Sequence, residues 1–166
     1  MKILVIEEKE LFRVAARQQL KDHDLTIIDS FEEAIDHIGK QHDFDVVLID
    51  LMMEPSSKML DFAGAKHLDR EIAAGFILAP LAAKTGAKFV GIISATRIYD
   101  HPARVALEHF KRDPFFTIAK AKCLFFTERP LIEARADLTT RVASFDEESI
   151  QVKDWAGMLS LLIEET

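Results

Sequence analysis

Four polar side chains stand where apolar runs stop. Glu7 and Glu8 follow Ile3 to Ile6, Asp50 follows the mostly β-branched run Val46 to Ile49, and Ser94 follows Phe89 to Ile93. These runs carry no polar alternation, so each reads as a strand buried on both faces within a parallel sheet. In open α/β sheets ligands bind in the crevice outside the carboxyl ends of the strands, which aims all four side chains at one edge. Clustered carboxylates repel one another unless a cation sits between them, and an oxygen-only donor set suits Mg²⁺. Glu7, Glu8 and Asp50 are therefore the expected metal ligands. Such an ion would neutralise a phosphoryl group arriving at Asp50, the carboxylate nucleophile, while Ser94 donates a hydrogen bond to a phosphoryl oxygen. A cation from the fifth strand would complete the set.

The elements that position these groups follow from periodicity. A helix is expected from about Lys9 to Lys21, with Leu11, Phe12, Val14, Ala15, Ala16 and Leu20 on its apolar face, then a strand over Leu25 to Ile28. Ser30 and Glu33 stand at capping-box spacing before a second helix that buries Phe31, Ala34, Ile35 and Ile38. Strand, helix, strand, helix, strand with connections of this length requires parallel neighbours and right-handed crossovers, hence a doubly wound α/β sheet. The segment from Leu51 to about His67 contains Pro55, Ser56, Ser57 and Gly64 without firm periodicity and reads as a long loop. Ile72, Phe76, Ala79 and Ala83 mark a helix that ends near Thr85-Gly86, with Pro80 as a kink or a sign of a late start. Asp100, His101 and Pro102 open a further helix through about Phe110; beside Tyr99 and His109 they also resemble metal donors, but a helix start is the more economical reading. In FFTIAKAKCLFF the last part, Cys123 to Phe126, suits a fifth strand, while Phe115 to Ile118 pairs separately or packs beneath it. Thr127 to Gln151 is a polar, interrupted insertion with an alternating piece at Leu138 to Val142. Asp154 is placed as the N-cap of a last helix whose buried stripe is Trp155, Met158, Leu159 and Leu162.

Composition narrows the class. A chain of 166 residues, 49% hydrophobic and 30% charged, suits a single globular domain spanning 1–166, with insertions at about 51–68 and 127–151. The formal net charge of −7 opposes a phosphate-dominated grip, so no nucleic-acid partner is expected despite Lys111, Arg112, Lys120 and Lys122. The lone Cys123 lies in an apolar run and reads as a buried, inert thiol in a reducing compartment. No run approaches a membrane span and no signal-peptide pattern opens the chain, so the expected location is cytoplasmic, with no membrane partner.

The stretches MKILVIEEKELFRVAARQQL, DVVLIDLMMEP and FVGIISA resemble the receiver domain of two-component response regulators, best over Met1 to Pro55 and again over Phe89 to Ala95. The resemblance implies a flavodoxin-like, five-stranded parallel sheet of order 2-1-3-4-5. It also implies Mg²⁺ at Glu7 and Glu8, phosphoryl acceptance at Asp50 from a histidine kinase or phosphotransfer protein, and a responding Ser94 followed by Ala95. The family's lysine after the fifth strand, usually followed by proline, falls on Arg129-Pro130 if that strand ends at Thr127. It falls on Lys153 if the insertion is an excursion that returns to the strand end. Both acids after the first strand are Glu where the family has at least one Asp, and Mg²⁺ demands near-ideal geometry. Two functions are expected on this basis. The first is a stand-alone receiver-like signalling protein, with no output domain after Glu164, acting on a downstream protein or as a homodimer. The alternative is a degenerate receiver-fold interaction module without phosphotransfer. A small Mg²⁺-dependent phosphohydrolase is the third possibility, although the chain lacks an Asp-x-Asp after its first strand and a P-loop glycine pattern.

Overall fold

The structure is a computed structural model that describes residues 1–40, 43–55, 70–95, 110, 113–126, 130–134 and 150–164. Of the expected elements, the helix opening at Asp100 (apart from Phe110), the Leu138 to Val142 piece, most of the first insertion and Arg129 lie outside these residues. The described strands are β1 (Lys2–Ile6), β2 (Asp24–Ile28), β3 (Val46–Asp50), β4 (Phe89–Ile93), β5 (Phe115–Ile118), β6 (Ala121–Phe126), β7 (Leu131–Glu133) and β8 (Gln151–Lys153). The helices are α1 (Glu10–Gln19), α2 (Phe31–Lys40), α3 (Gly75–Lys84) and α4 (Trp155–Glu164).

The main sheet runs β2-β1-β3-β4-β6-β5, and every neighbouring pair is parallel except β5 with β6. Among the described residues it thus has six strands where five were expected. The addition is β5, which folds back on β6 through Ala119-Lys120 so that Ile118 faces Ala121 and Phe115 faces Leu124. Ala119 takes the left-handed backbone conformation, φ 53°, that this tight reversal requires. No glycine or asparagine announces that turn, which is why the sequence left open whether Phe115 to Ile118 pairs or only packs beneath the fifth strand.

The strand pleat sorts the core. Leu4, Ile6, Val47 and Ile49 face α2 and α3, whereas Ile3, Val5, Val46 and Leu48 face α1 and α4. Helices on both faces explain why the strands read as unbroken apolar runs. Gly91 in β4 permits the close seating of α4, since a Cβ there would meet Met158 Sδ at 2.7 Å and Leu162 Cδ1 at 3.1 Å. Asp154 caps α4 by accepting the Gly157 N–H at 2.9 Å, and Ser30 Oγ accepts the Glu33 N–H at 3.4 Å. The third helix begins at Gly75, later than Ile72, because Ile72 is taken by an antiparallel bridge to Met53 with N···O distances of 2.8 and 3.0 Å. That bridge closes the base of the first insertion. Pro80 lies inside α3, and Gly86, with φ 109°, follows its end.

The second insertion is closed in the same manner. β7 and β8 form a two-stranded antiparallel ladder, extended by Ala134 N–H to Ile150 O at 2.7 Å and Asp154 N–H to Pro130 O at 3.0 Å. A chain that departs after β6 therefore returns beside its point of departure, with Lys153 at the end of β8.

Candidate functional site

Glu7 directly follows β1, Asp50 ends β3, and β1 and β3 are adjacent. The ammonium of Lys153, delivered by β8, bonds both: Nζ donates to Glu7 Oε2 and lies 2.8 Å from Asp50 Oδ1. All three are buried, with relative exposures of 0% for Glu7 and Lys153 and 3% for Asp50. Two ring faces lie over the ammonium, Phe12 at 4.8 Å and Trp155 at 5.5 Å to the ring centroids. Cation–π attraction of this kind strengthens when the cation is desolvated.

Main-chain donors also hold the carboxylates. Glu7 Oε1 accepts the Lys9 N–H at 2.8 Å, and Asp50 Oδ1 accepts the Met52 N–H at 3.3 Å. Arg13 holds the turn after β1, its guanidinium donating to the carbonyls of Glu7 and Glu8 and pairing with Glu10. Gln19 and Phe12, both on α1, secure the segment that carries the lysine. Gln19 Nε2 donates to Lys153 O at 2.8 Å, and the indole N–H of Trp155 donates to Phe12 O at 3.1 Å.

The charge balance is uneven. Two carboxylates face one ammonium, so the buried group carries a surplus negative charge unless it binds a proton. Burial, reinforced by the neighbouring Asp50 charge and opposed by Lys153, pushes the Glu7 carboxyl up to about 7. Burial likewise raises Asp50, again against the pull of Lys153. The centre is suited to holding one proton near neutral pH.

Glu8 leaves this group. Half-buried, it accepts the Glu54 N–H on Oε2 at 2.9 Å, and its carboxyl is raised by burial and by the charges of Glu54, Asp50 and Glu71. Successive residues leaving a strand point to opposite sides, and this separates the two acids. Ser94 is buried immediately beyond β4, one position past the Asp50–Ile93 pairing, and Ala95 is half-buried. Of the two residues expected to supply the cation, Lys153 reaches Asp50, and Arg129 lies outside the described residues.

The donor set does not fit Mg²⁺ in this arrangement. One oxygen of Glu7 and one of Asp50 are bound to the ammonium, while Glu8 is committed to a backbone N–H. Among the described residues no group of three or more His, Cys, Asp or Glu side chains is placed to hold a metal ion. Among the same residues no helix is long and apolar enough to cross a membrane.

Sequence reasoning reached Glu7, Asp50 and Lys153 but missed the residues that build their surroundings. Phe12 and Trp155 were legible only as core positions, because their periodicity reports burial and not what they bury. Gln19 carries no motif; its role exists only where α1 meets the start of α4.

No protein-family model matches the chain, and no curated protein is significantly similar to it.

Proposed function

We propose that the protein is a receiver-like protein-interaction module whose acidic centre is held by Lys153 in place of a metal-assisted phosphoryl group. The observation that carries this reading is the buried ammonium bonded to both Glu7 and Asp50. A phosphoryl donor must approach a carboxylate oxygen in line, and Asp50 is nearly sealed, with Oδ1 engaged by Lys153 and the Met52 N–H. In this reading β2-β1-β3-β4-β6 form the parallel core of a flavodoxin-like fold, β5 is an added edge, and the partner is a cytoplasmic protein. No turnover is assigned to the centre.

A second reading retains phosphoryl acceptance at Asp50 from a histidine kinase or phosphotransfer protein. It is favoured by the placement of Lys153 Nζ 2.8 Å from Asp50 Oδ1 at the carboxyl end of the parallel sheet, as the resemblance to receiver domains implies. There Lys153 would exchange a carboxylate oxygen for a phosphoryl oxygen. Incubation with acetyl phosphate and Mg²⁺ followed by intact mass measurement separates the two. The first reading expects unmodified wild type; a phosphoryl adduct on wild type that disappears in Asp50→Asn establishes the second in its place.

A further inference from the structure

The disagreement between the acidic strand ends and a metal site has a specific cause. We infer that Lys153 is the resident cation of the centre, and that its ammonium fills the position a divalent ion would otherwise take between Glu7 and Asp50. The wild-type centre is therefore metal-independent, and removing the ammonium turns it into a divalent-cation site. This deepens the reading above and rests on it, but it concerns metal binding and not phosphoryl transfer.

The surroundings of Nζ have the form of a cation site. Carboxylate oxygens come from the ends of two adjacent strands, each carboxylate is braced by a backbone N–H, and two aromatic faces lie against the ammonium. A compact ammonium on a flexible stem is suited to that role, being a point charge with three donors. It also brings its charge through the fold and needs no ion from solution. Two buried carboxylates without a cation repel each other and must bind protons. A lysine tethered by β8 offsets most of this repulsion as long as β8 stays docked, so closure of the β7–β8 ladder and filling of the acidic centre are a single event. A diffusible hard ion would satisfy the same oxygens only once the ammonium is gone, because like charges cannot share the position. Glu8, near enough to Asp50 to feel its charge, supplies a further oxygen donor for that ion if it releases the Glu54 N–H.

The test compares full-length wild type with Lys153→Ala and with Lys153→Met, which keeps more of the side-chain volume. Thermal melting is followed in EDTA and in MnCl₂, and Mn²⁺ binding is measured by calorimetry. Wild type is expected to melt identically in EDTA and MnCl₂. At least one variant is expected to melt lower in EDTA, to recover saturably with Mn²⁺, and to bind it at least about tenfold more tightly than wild type. Adding Asp50→Asn should abolish that recovery. A variant that folds in Mn²⁺ and not in EDTA supports the inference equally. Saturable Mn²⁺ binding to wild type that is lost in Asp50→Asn overturns it, as do variants indifferent to metal or unfolded in both conditions. A phosphoryl adduct on wild type with these metal results intact would remove only the function proposed above.

Discussion

Gln19 and Lys153 are joined through the Gln19 side-chain amide, which donates to the Lys153 carbonyl at 2.8 Å and accepts the Ala156 N–H at 3.0 Å. One α1 side chain thus spans the junction between β8 and α4 and sets the height at which the lysine enters the acidic centre. Gln19→Ala leaves a carbonyl and an amide at that junction without their partner. Chemical denaturation should show a loss of about 1–3 kcal/mol, with an unchanged far-UV spectrum. A loss within error would mean that water replaces the amide freely and that Gln19 does not position Lys153.

Removing the ammonium alone should cost far more than removing the whole ionic group. Lys153→Met strands two buried carboxylates, and breaking a buried ion pair from one side costs about 3–5 kcal/mol. In the triple variant Glu7→Gln, Asp50→Asn, Lys153→Met no charge remains to be buried, so urea midpoints should place it well above the single variant. A triple variant weaker than Lys153→Met would show that the charges contribute net stability and not just mutual compensation.

Glu7 gives stability a pH dependence of definite sign. Its carboxyl titrates near 4.5 in the unfolded chain and at about 7 when folded. Between those values the folded state holds a proton that the unfolded state has lost, so this stabilising contribution is complete below the lower value and disappears as pH rises through the upper one. Unfolding free energy should therefore fall from about pH 4.5 to about pH 7, and Glu7→Gln should flatten that slope. Trp155, whose ring lies 5.5 Å from the Lys153 ammonium, is a built-in reporter. Its emission should shift with a midpoint near 7 in wild type but not in Glu7→Gln. A pH-independent stability across this window, matched by the variant, would sink the shared-proton description.

Two glycines should respond differently to the same added methyl group. At Gly75 a Cβ would lie 2.9 Å from Leu51 Cα and 3.1 Å from Asp50 O, against main chain. At Gly91 the nearest atom is the Met158 thioether sulfur, at 2.7 Å, on a side chain that can turn aside. Gly91→Ala should cost about 1–3 kcal/mol as ordinary overpacking, and Gly75→Ala more, with a visible change in Trp155 emission as the Asp50 backbone is displaced. Equal costs would show that the start of α3 yields as readily as a methionine.

Much of this molecule is written locally. The β-branched runs ending at Ile6, Ile49 and Ile93 specify buried parallel strands because neighbouring side chains on a pleated backbone decide whether one face or both are covered. Asp154 and Ser30 announce helix starts for an equally local reason, since a cap needs only the amides of the next turn. These features also brought Glu7, Asp50 and Ser94 to one edge of the sheet. Tertiary structure alone decided what that edge is. Lys153 meets Glu7 across 146 positions of sequence, a contact that depends on the β7–β8 ladder closing and on α1 gripping the returning strand. Glu8, parted from Glu7 by the alternation of the strand end, is held where it is by the Glu54 N–H, 46 positions away. Periodicity records which side of an element is buried, but not which distant charge it will be buried beside, because that choice is made by long-range docking after the local elements have formed.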